Sequence, residues 1–208
     1  IKKIWSTSLG FMKEISAATS QFNAASGTAG TMAKDVTAAM DFGIGVSAAE
    51  VGEAASGLAG SFTEFTSVSR DARTSLVKTA SGLGRLGISS TTTGKNLQFM
   101  TKAMGQSSED AENTLKGLAS AASTLGKTPA ALMEDLGSFS GDLAAYGSEW
   151  EDVLLGAAAA AKQSGLEMSK LMSLTEKFTT FDSAATAVGG LNALLGGDFV
   201  NSLEMMVA

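Results

Sequence analysis

The chain contains no histidine and no cysteine, and it has a single proline among its 208 residues. Without imidazole or thiol groups, it lacks the most common general base, the thiolate nucleophile and the usual zinc ligands. It also cannot form a disulfide framework. Chemistry that uses only carboxylates, or a serine with a lysine, stays open. We therefore expect no enzyme, no cofactor and no metal site.

Aromatic residues are scarce, at 6%, and the net charge is -6. No basic stripe with interleaved aromatic residues occurs in the sequence, which argues against specific nucleic-acid binding. The charge is also uneven, because residues 1–40 carry four lysines against two acidic residues while the rest of the chain is acidic. Small residues, leucine and methionine must supply the core.

Long apolar runs are missing as well. The longest uncharged run, residues 15–33, contains eight Ser, Thr, Gln or Asn residues, and the apolar run at residues 153–161 is only nine residues long. A membrane-spanning helix needs about 20 predominantly apolar residues. The sequence therefore predicts no membrane span and no signal peptide, and its first residue, Ile1, suggests part of a longer product.

What the sequence does have is glycine at regular intervals, each followed within one or two residues by Ser, Thr or an acidic residue. These glycines are Gly45, Gly87, Gly105, Gly126, Gly147 and Gly165, and the last four intervals are 18, 21, 21 and 18 residues. Glycine is favoured just past the end of a helix, and Ser or Thr at the start of the next. The pattern predicts an all-α fold, an array of short helices or helical hairpins.

Apolar spacing and capping residues set the expected helix bounds. We predict helices near residues 47–60, 62–82, 89–104, 107–125, 128–145, 148–163, 167–180, 183–195 and 198–207. Ser47 with Glu50, and Ser148 with Glu151, match the capping box. Pro129 would occupy the first position of its helix, where a missing N–H costs nothing.

The first forty residues differ from the rest because they follow a heptad pattern. Eleven of the twelve a and d positions that start at Ile1 are apolar. We predict a long amphipathic, coiled-coil-like helix over residues 1–40 and a compact helical-repeat region over residues 41–208. An ordinary bundle helix is the alternative. The candidate oligomer interface consists of Ile1, Ile4, Phe11, Ile15, Phe22, Met32 and Val36.

Three patterns resemble chemical motifs but have simpler explanations. Residues 82–87 match G-x-G-x-x-G, yet the preceding residues read as a helix where a dinucleotide site needs a strand. Ser75 and Lys78 match S-x-x-K without its companion motifs. The acidic residues at 109–112 and 149–152 lie where they would complement helix dipoles. We interpret these patterns as a helix stop, a solvated helix face and helix N-termini.

The phrases LGISSTTTGKNLQFMTKAMGQSSEDAENTLKGLASAASTLGKTPAALMEDL and FDSAATAVGGLNALLGGDFVNSLEMM lie between residues 86 and 206. This part of the chain resembles the tail tape measure proteins of bacteriophages. The resemblance implies a virion protein in the lumen of the tail tube or at the tail tip, which sets tail length and leaves ahead of the DNA. It also implies a homo-oligomer, trimer or hexamer, that contacts tail tube and baseplate hub proteins and, during ejection, the host inner membrane.

The residues themselves leave two other classes of protein open. Ala- and Gly-rich helices with methionine and few charges are also compatible with a membrane-active translocator or pore-forming protein. A bacterial helical adaptor or secreted effector is the third possibility. Tail length, dye release from liposomes and behaviour as a monomer distinguish the three.

Overall fold

The computed structural model describes residues 47–176 and the isolated positions 13, 16, 17 and 20. Between residues 47 and 176 the chain is helical and contains no strand, which confirms the all-α class and the array of short helices. The predicted coiled coil over residues 1–40 and the predicted helices after residue 180 lie outside the described residues. The helices are α1 (Ala48–Ser61), α2 (Arg70–Gly84), α3 (Ser90–Lys102), α4 (Ser108–Ala121), α5 (Pro129–Leu143), α6 (Trp150–Ser164) and α7 (Met168–Glu176).

Side-chain caps start the first five helices. Ser47, Ser69, Ser89 and Ser107 each accept a hydrogen bond from the backbone N–H three residues on. The capping box at α1 is complete, because the backbone N–H of Ser47 also donates to the Glu50 carboxylate at 2.7 Å. Thr128 caps α5 in the same way, and Pro129 is the first residue of that helix. The sequence predicted the starts at Ser47, Ser89, Ser107 and Thr128, because caps are local, but it did not predict the start at Ser69.

Five of the predicted glycines have the expected positive φ, but only Gly165 is itself a helix C-cap, and α1 ends at Phe62 without a glycine. Gly87, Gly105, Gly126, Gly147 and Gly165 all have positive φ angles, and Gly45 lies outside the described residues. Gly165 is the C-cap of α6 with φ 70° and ψ 10°, and its N–H donates to the Ala161 carbonyl at 2.9 Å. Residues with a Cβ adopt this left-handed conformation only at a cost.

The prediction of one helix over residues 62–82 was wrong, because α2 begins at Arg70. The segment between α1 and α2 forms turns, and Phe62 and Phe65 are buried there with at most 1% exposure. Arg73 of α2 stabilises the segment, because its Nη1 donates a hydrogen bond to the Thr66 carbonyl at 2.9 Å. Burial of two aromatic side chains therefore holds the backbone in turns where sequence periodicity alone predicted a helix.

The predicted capping box of Ser148 and Glu151 was also wrong. Ala144–Glu149 form a 3₁₀ segment, and the N-cap of α6 is Glu149, which makes no side-chain cap hydrogen bond. Gly147 has non-helical angles, φ 55° and ψ -124°, inside this segment. Ser148 thus lies within the 3₁₀ segment, whereas a capping serine needs extended backbone just before the helix.

The chain divides into two compact units between Ser140 and Gly141. In the first unit, α1 and α3 lie side by side and run in the same direction. Near their starts, Ser90 Oγ donates to the Glu53 carbonyl at 3.2 Å, and near their ends the Thr63 N–H donates to Gln98 Oε1 at 2.8 Å. Helix α2 connects them in sequence, runs back alongside the pair, and packs against α1, α3 and α4.

The first unit is therefore a stack of helical hairpins. The α3–α5 junction continues the pattern, since Gly87 faces Ala130 and Asn96 faces Met133 further along. Stacked hairpins bury a shared core that one hairpin could not form alone. The largest fully buried side chains are Leu58, Phe62, Phe65, Leu76, Ile88, Leu97, Met100, Leu115, Leu118, Leu132 and Met133.

In the second unit, α6 packs against the 3₁₀ segment and against α7. Its buried stripe consists of Trp150, Leu154, Ala158 and Ala161, and α7 contributes the buried side chains of Met168 and Met172. No helix in the described part of the chain has the length and apolar character that crossing a bilayer requires. The predicted domain boundary near residue 40 lies outside the described residues and stays a prediction.

Candidate functional site

A buried carboxylate, Glu112, lies in a cleft of about 480 Å³ between α2 and α4. The first turns of both helices line this cleft, so their N-termini lie at the same end of the hairpin stack. Glu112 is the fifth residue of α4, and the carboxylates of Glu109 and Asp110 lie in the first turn before it. We call this feature the Glu112 cleft.

Glu112 is 4% exposed, and three donors converge on its Oε1 atom. Ser75 Oγ donates at 2.8 Å and Thr79 Oγ1 at 2.6 Å, both from α2. Lys116, one turn further along α4, supplies the third hydrogen bond and an ion pair. One carboxylate therefore joins two helices and balances its charge within its own helix.

Burial raises the pKa of Glu112, but the hydrogen bonds from Lys116, Thr79 and Ser75 outweigh it and lower the pKa below its ordinary value. The carboxylate therefore stays ionised at neutral pH. A general base works best when its pKa lies near the working pH, so Glu112 is poorly suited to proton transfer. The cluster acts as a polar connection between α2 and α4.

The S-x-x-K pattern does not form a nucleophile pair of the serine acylase kind. The Ser75 hydroxyl donates to the Glu112 carboxylate, so its proton is directed to an acid of another helix. The glycines at residues 82–87 end α2, and Gly87, with φ 84°, makes the turn that follows. The helix-stop interpretation is confirmed for this segment.

The acidic residues lie at helix starts as expected. Glu109 and Asp110 occupy the first turn of α4, and Glu151 and Asp152 the first turn of α6. Burial, and secondly the neighbouring Asp152, raise the pKa of Glu151. Within the described residues, no three acidic side chains come together in a group that could hold a metal ion.

A second cleft, of about 580 Å³, lies between α3 and α5. Asn96 is fully buried at its edge, and its Nδ2 donates to the Met133 carbonyl at 3.0 Å. The Oδ1 atom of Asn96 accepts no hydrogen bond from the part of the chain that the structure describes. Gly137 lies next to this oxygen, since a Cβ at Gly137 would be 3.4 Å from it.

The sequence contained a signal for both buried polar residues that our prediction did not use. Glu112 precedes Leu115 by three residues, and Asn96 precedes Met100 by four, so each lies on an apolar helix stripe. A polar residue on such a stripe is buried and needs partners. The partners, however, come from helices 33 to 37 residues away and could not be chosen from the sequence.

The candidate oligomer interface is not among the residues brought together here. Ile1, Ile4, Phe11, Ile15, Phe22, Met32 and Val36 all lie outside the described residues. No family model, curated protein or solved structure matches the chain. The described residues form an all-helical array with clefts between its helices.

Proposed function

We propose that this chain is part of a bacteriophage tail tape measure protein. In this role it occupies the lumen of the tail tube or the tail tip, sets tail length and leaves ahead of the genome. The observation that carries the proposal is the resemblance of residues 86–206 to that family. The capped helix array agrees with it, because four described helices, α2 to α5, begin with a Ser or Thr cap and are followed by a glycine of positive φ, the pattern on which part of the resemblance depends.

The physical properties of the chain also suit a ruler that must be drawn out of a tube. A helix extends about 1.5 Å per residue, so the length of a helical chain translates directly into distance. The chain has no cysteine, hence no covalent bridges that resist extension. Its helices are short, nine to fifteen residues each among those described, and can be released one at a time.

The proposal includes partners. The apolar heptad positions between Ile1 and Val36 would join copies into a trimer or hexamer. Tail tube and hub or baseplate proteins would surround the assembly, and the host inner membrane would be met on ejection. No specific nucleic-acid binding is part of the proposal.

The proposal is tested by changing the length of the heptad segment in the intact virus. Deleting residues 5–32 removes four heptads and keeps the phase of the pattern. Tails should shorten by about 42 Å at 1.5 Å per residue, and duplicating the same segment should lengthen them equally. Averaged electron micrographs of isolated tails measure this. A length-neutral control, Ile15→Ala in the full segment, should leave tail length unchanged.

Tails of unaltered length in both the deletion and the duplication would contradict the ruler role. Release of an entrapped dye from liposomes by the purified chain would instead favour a membrane-active protein. The mean hydropathy of +0.16 makes this the alternative worth testing in parallel. A monodisperse monomer found outside the virion would favour an adaptor or effector.

A further inference from the structure

The two junctions between parallel helices in the first unit are built differently. At the α1–α3 junction, a Cβ on Gly57 would lie 2.5 Å from Ser90 Cβ, and one on Gly94 would lie 3.1 Å from Ser61 Cβ. Small residues thus let the two backbones approach closely at two points, one turn apart. At the α3–α5 junction, a cleft of about 580 Å³ lies between the helices instead.

The polar contact across the α3–α5 junction is only half satisfied. Asn96 is completely buried and gives one hydrogen bond to the Met133 carbonyl, while its Oδ1 atom has no donor in the described part of the chain. A buried acceptor that loses its water and gains no partner works against the contact that buries it. Separation of α5 from α3 would return this oxygen to water.

Helix α5 is also weak in itself. Gly137 and Gly141 both lie inside it, and glycine is the poorest helix former after proline. The boundary between the two compact units falls between Ser140 and Gly141, near the end of the same helix. The ion pair of Lys127 with Asp135 joins residues of this one segment, so it does not tie α5 to α3.

We propose that α5 separates from α3 and unwinds in a local opening of its own, which is more populated than unfolding of the α1–α3 pair. The opening exposes the apolar side of α5, where Leu132, Met133 and Leu136 are fully buried in the closed state. It marks the point at which the hairpin stack comes apart first. The inference depends on the described contacts and not on a role in phage tails.

Native-state hydrogen exchange on the full chain tests the opening. Amides at residues 133–140 in α5 should exchange at least about tenfold faster than amides at residues 94–101 in α3. Their rates should also depend less on urea, since a local opening exposes less surface than global unfolding. Equal rates with equal urea dependence in both helices would overturn the proposal. This comparison needs no variant, so it does not depend on a mutant folding.

Two variants test the part played by Asn96. The shape-matched Asn96→Leu removes the acceptor without a partner and should slow exchange in α5 about tenfold, with α1 as the unchanged internal reference. Asn96→Ala leaves a gap and should accelerate it. If both variants accelerate exchange in α5 equally, Asn96 stabilises the junction on balance, and the argument from its oxygen is refuted.

Discussion

Gly57 of α1 lies directly against Ser90 of α3, so that a Cβ on Gly57 would be 2.5 Å from Ser90 Cβ and 3.1 Å from the Ser90 backbone carbon. The pair has a counterpart one turn further along, where Gly94 of α3 lies against Ser61 of α1. Each helix therefore supplies one glycine and one serine, four residues apart. Side-chain rotation cannot relieve contacts this close to the backbone.

Gly57→Ala should therefore destabilise the first unit. The added methyl group forces α1 and α3 apart, and overpacking of this kind costs about 1–3 kcal/mol in the free energy of unfolding. The matched control is Gly117→Ala in α4, where the new Cβ meets no atom within 4 Å. That change should stabilise by about 0.5–1 kcal/mol through helix propensity. Urea denaturation measures both, and equal effects would contradict the close contact.

The Glu112 cluster predicts loss of stability in acid. The pKa of Glu112 is lower in the folded chain than in the unfolded one, so its contribution is present above the unfolded pKa, near 4.3, and disappears as the pH falls through the folded value. Glu112→Gln should cost about 1–2 kcal/mol at pH 7, because three donors lose a charged acceptor. The difference from the parent chain should shrink towards pH 3.

The control for this measurement is Glu134→Gln, a change at an exposed carboxylate in α5. It should alter the free energy of unfolding by no more than about 0.5 kcal/mol at pH 7. Urea denaturation midpoints of the parent chain and both variants, measured at pH 3, 4, 5 and 7, give the pH dependence of each effect. A pH-independent effect of Glu112→Gln would show that the charge of this residue contributes nothing to the connection between α2 and α4.

Ser107→Ala should remove the cap of α4. The Ser107 hydroxyl oxygen accepts from the Asp110 N–H at 3.1 Å, and loss of such a cap costs about 1 kcal/mol. Ser120→Ala is the matched change in the same helix, because Ser120 Oγ only donates to the Lys116 carbonyl, a group already placed to bond within the helix. It should have little effect. Thermal unfolding followed by circular dichroism distinguishes them, and comparable losses would count against the cap.

Two alanine substitutions in the second unit should have opposite signs. Gly165 ends α6 with a left-handed backbone, so Gly165→Ala should destabilise by about 1–2 kcal/mol. Gly156 lies inside the same helix with open space around it, and Gly156→Ala should stabilise by about 0.5–1 kcal/mol. The melting temperatures of the two variants measure these effects. A higher melting temperature for Gly165→Ala would disprove the left-handed cap.

The sequence predicted the helix array because its signals are local. A capping serine and the backbone N–H that donates to it are three residues apart. A glycine stop depends on the φ angle of one residue. Neither signal depends on the rest of the fold. The starts at Ser89 and Ser107 and the stops at Gly105 and Gly165 were correct for this reason.

Errors arose where side-chain burial or an unexpected backbone angle decides the conformation, and where a residue's partner lies on another helix. The buried side chains of Phe62 and Phe65 hold turns where a helix was predicted, and the positive φ of Gly147 displaces the start of α6 beyond Ser148. The partners of Glu112 and Asn96 were likewise invisible, since each lies on another helix. Neither cleft could be predicted without knowing which helices are neighbours.

The locality of the caps has a mechanical consequence. The hydrogen bonds that join neighbouring hairpins link residues 33 to 38 apart, and the caps link residues three apart, so none of these bonds closes a loop longer than 38 residues. Chains with such short-range connectivity refold fast, with single helices returning within about a microsecond. After being pulled straight through a narrow passage, this polypeptide would begin to rebuild its shared core once two neighbouring hairpins had emerged, without needing the other end to be free.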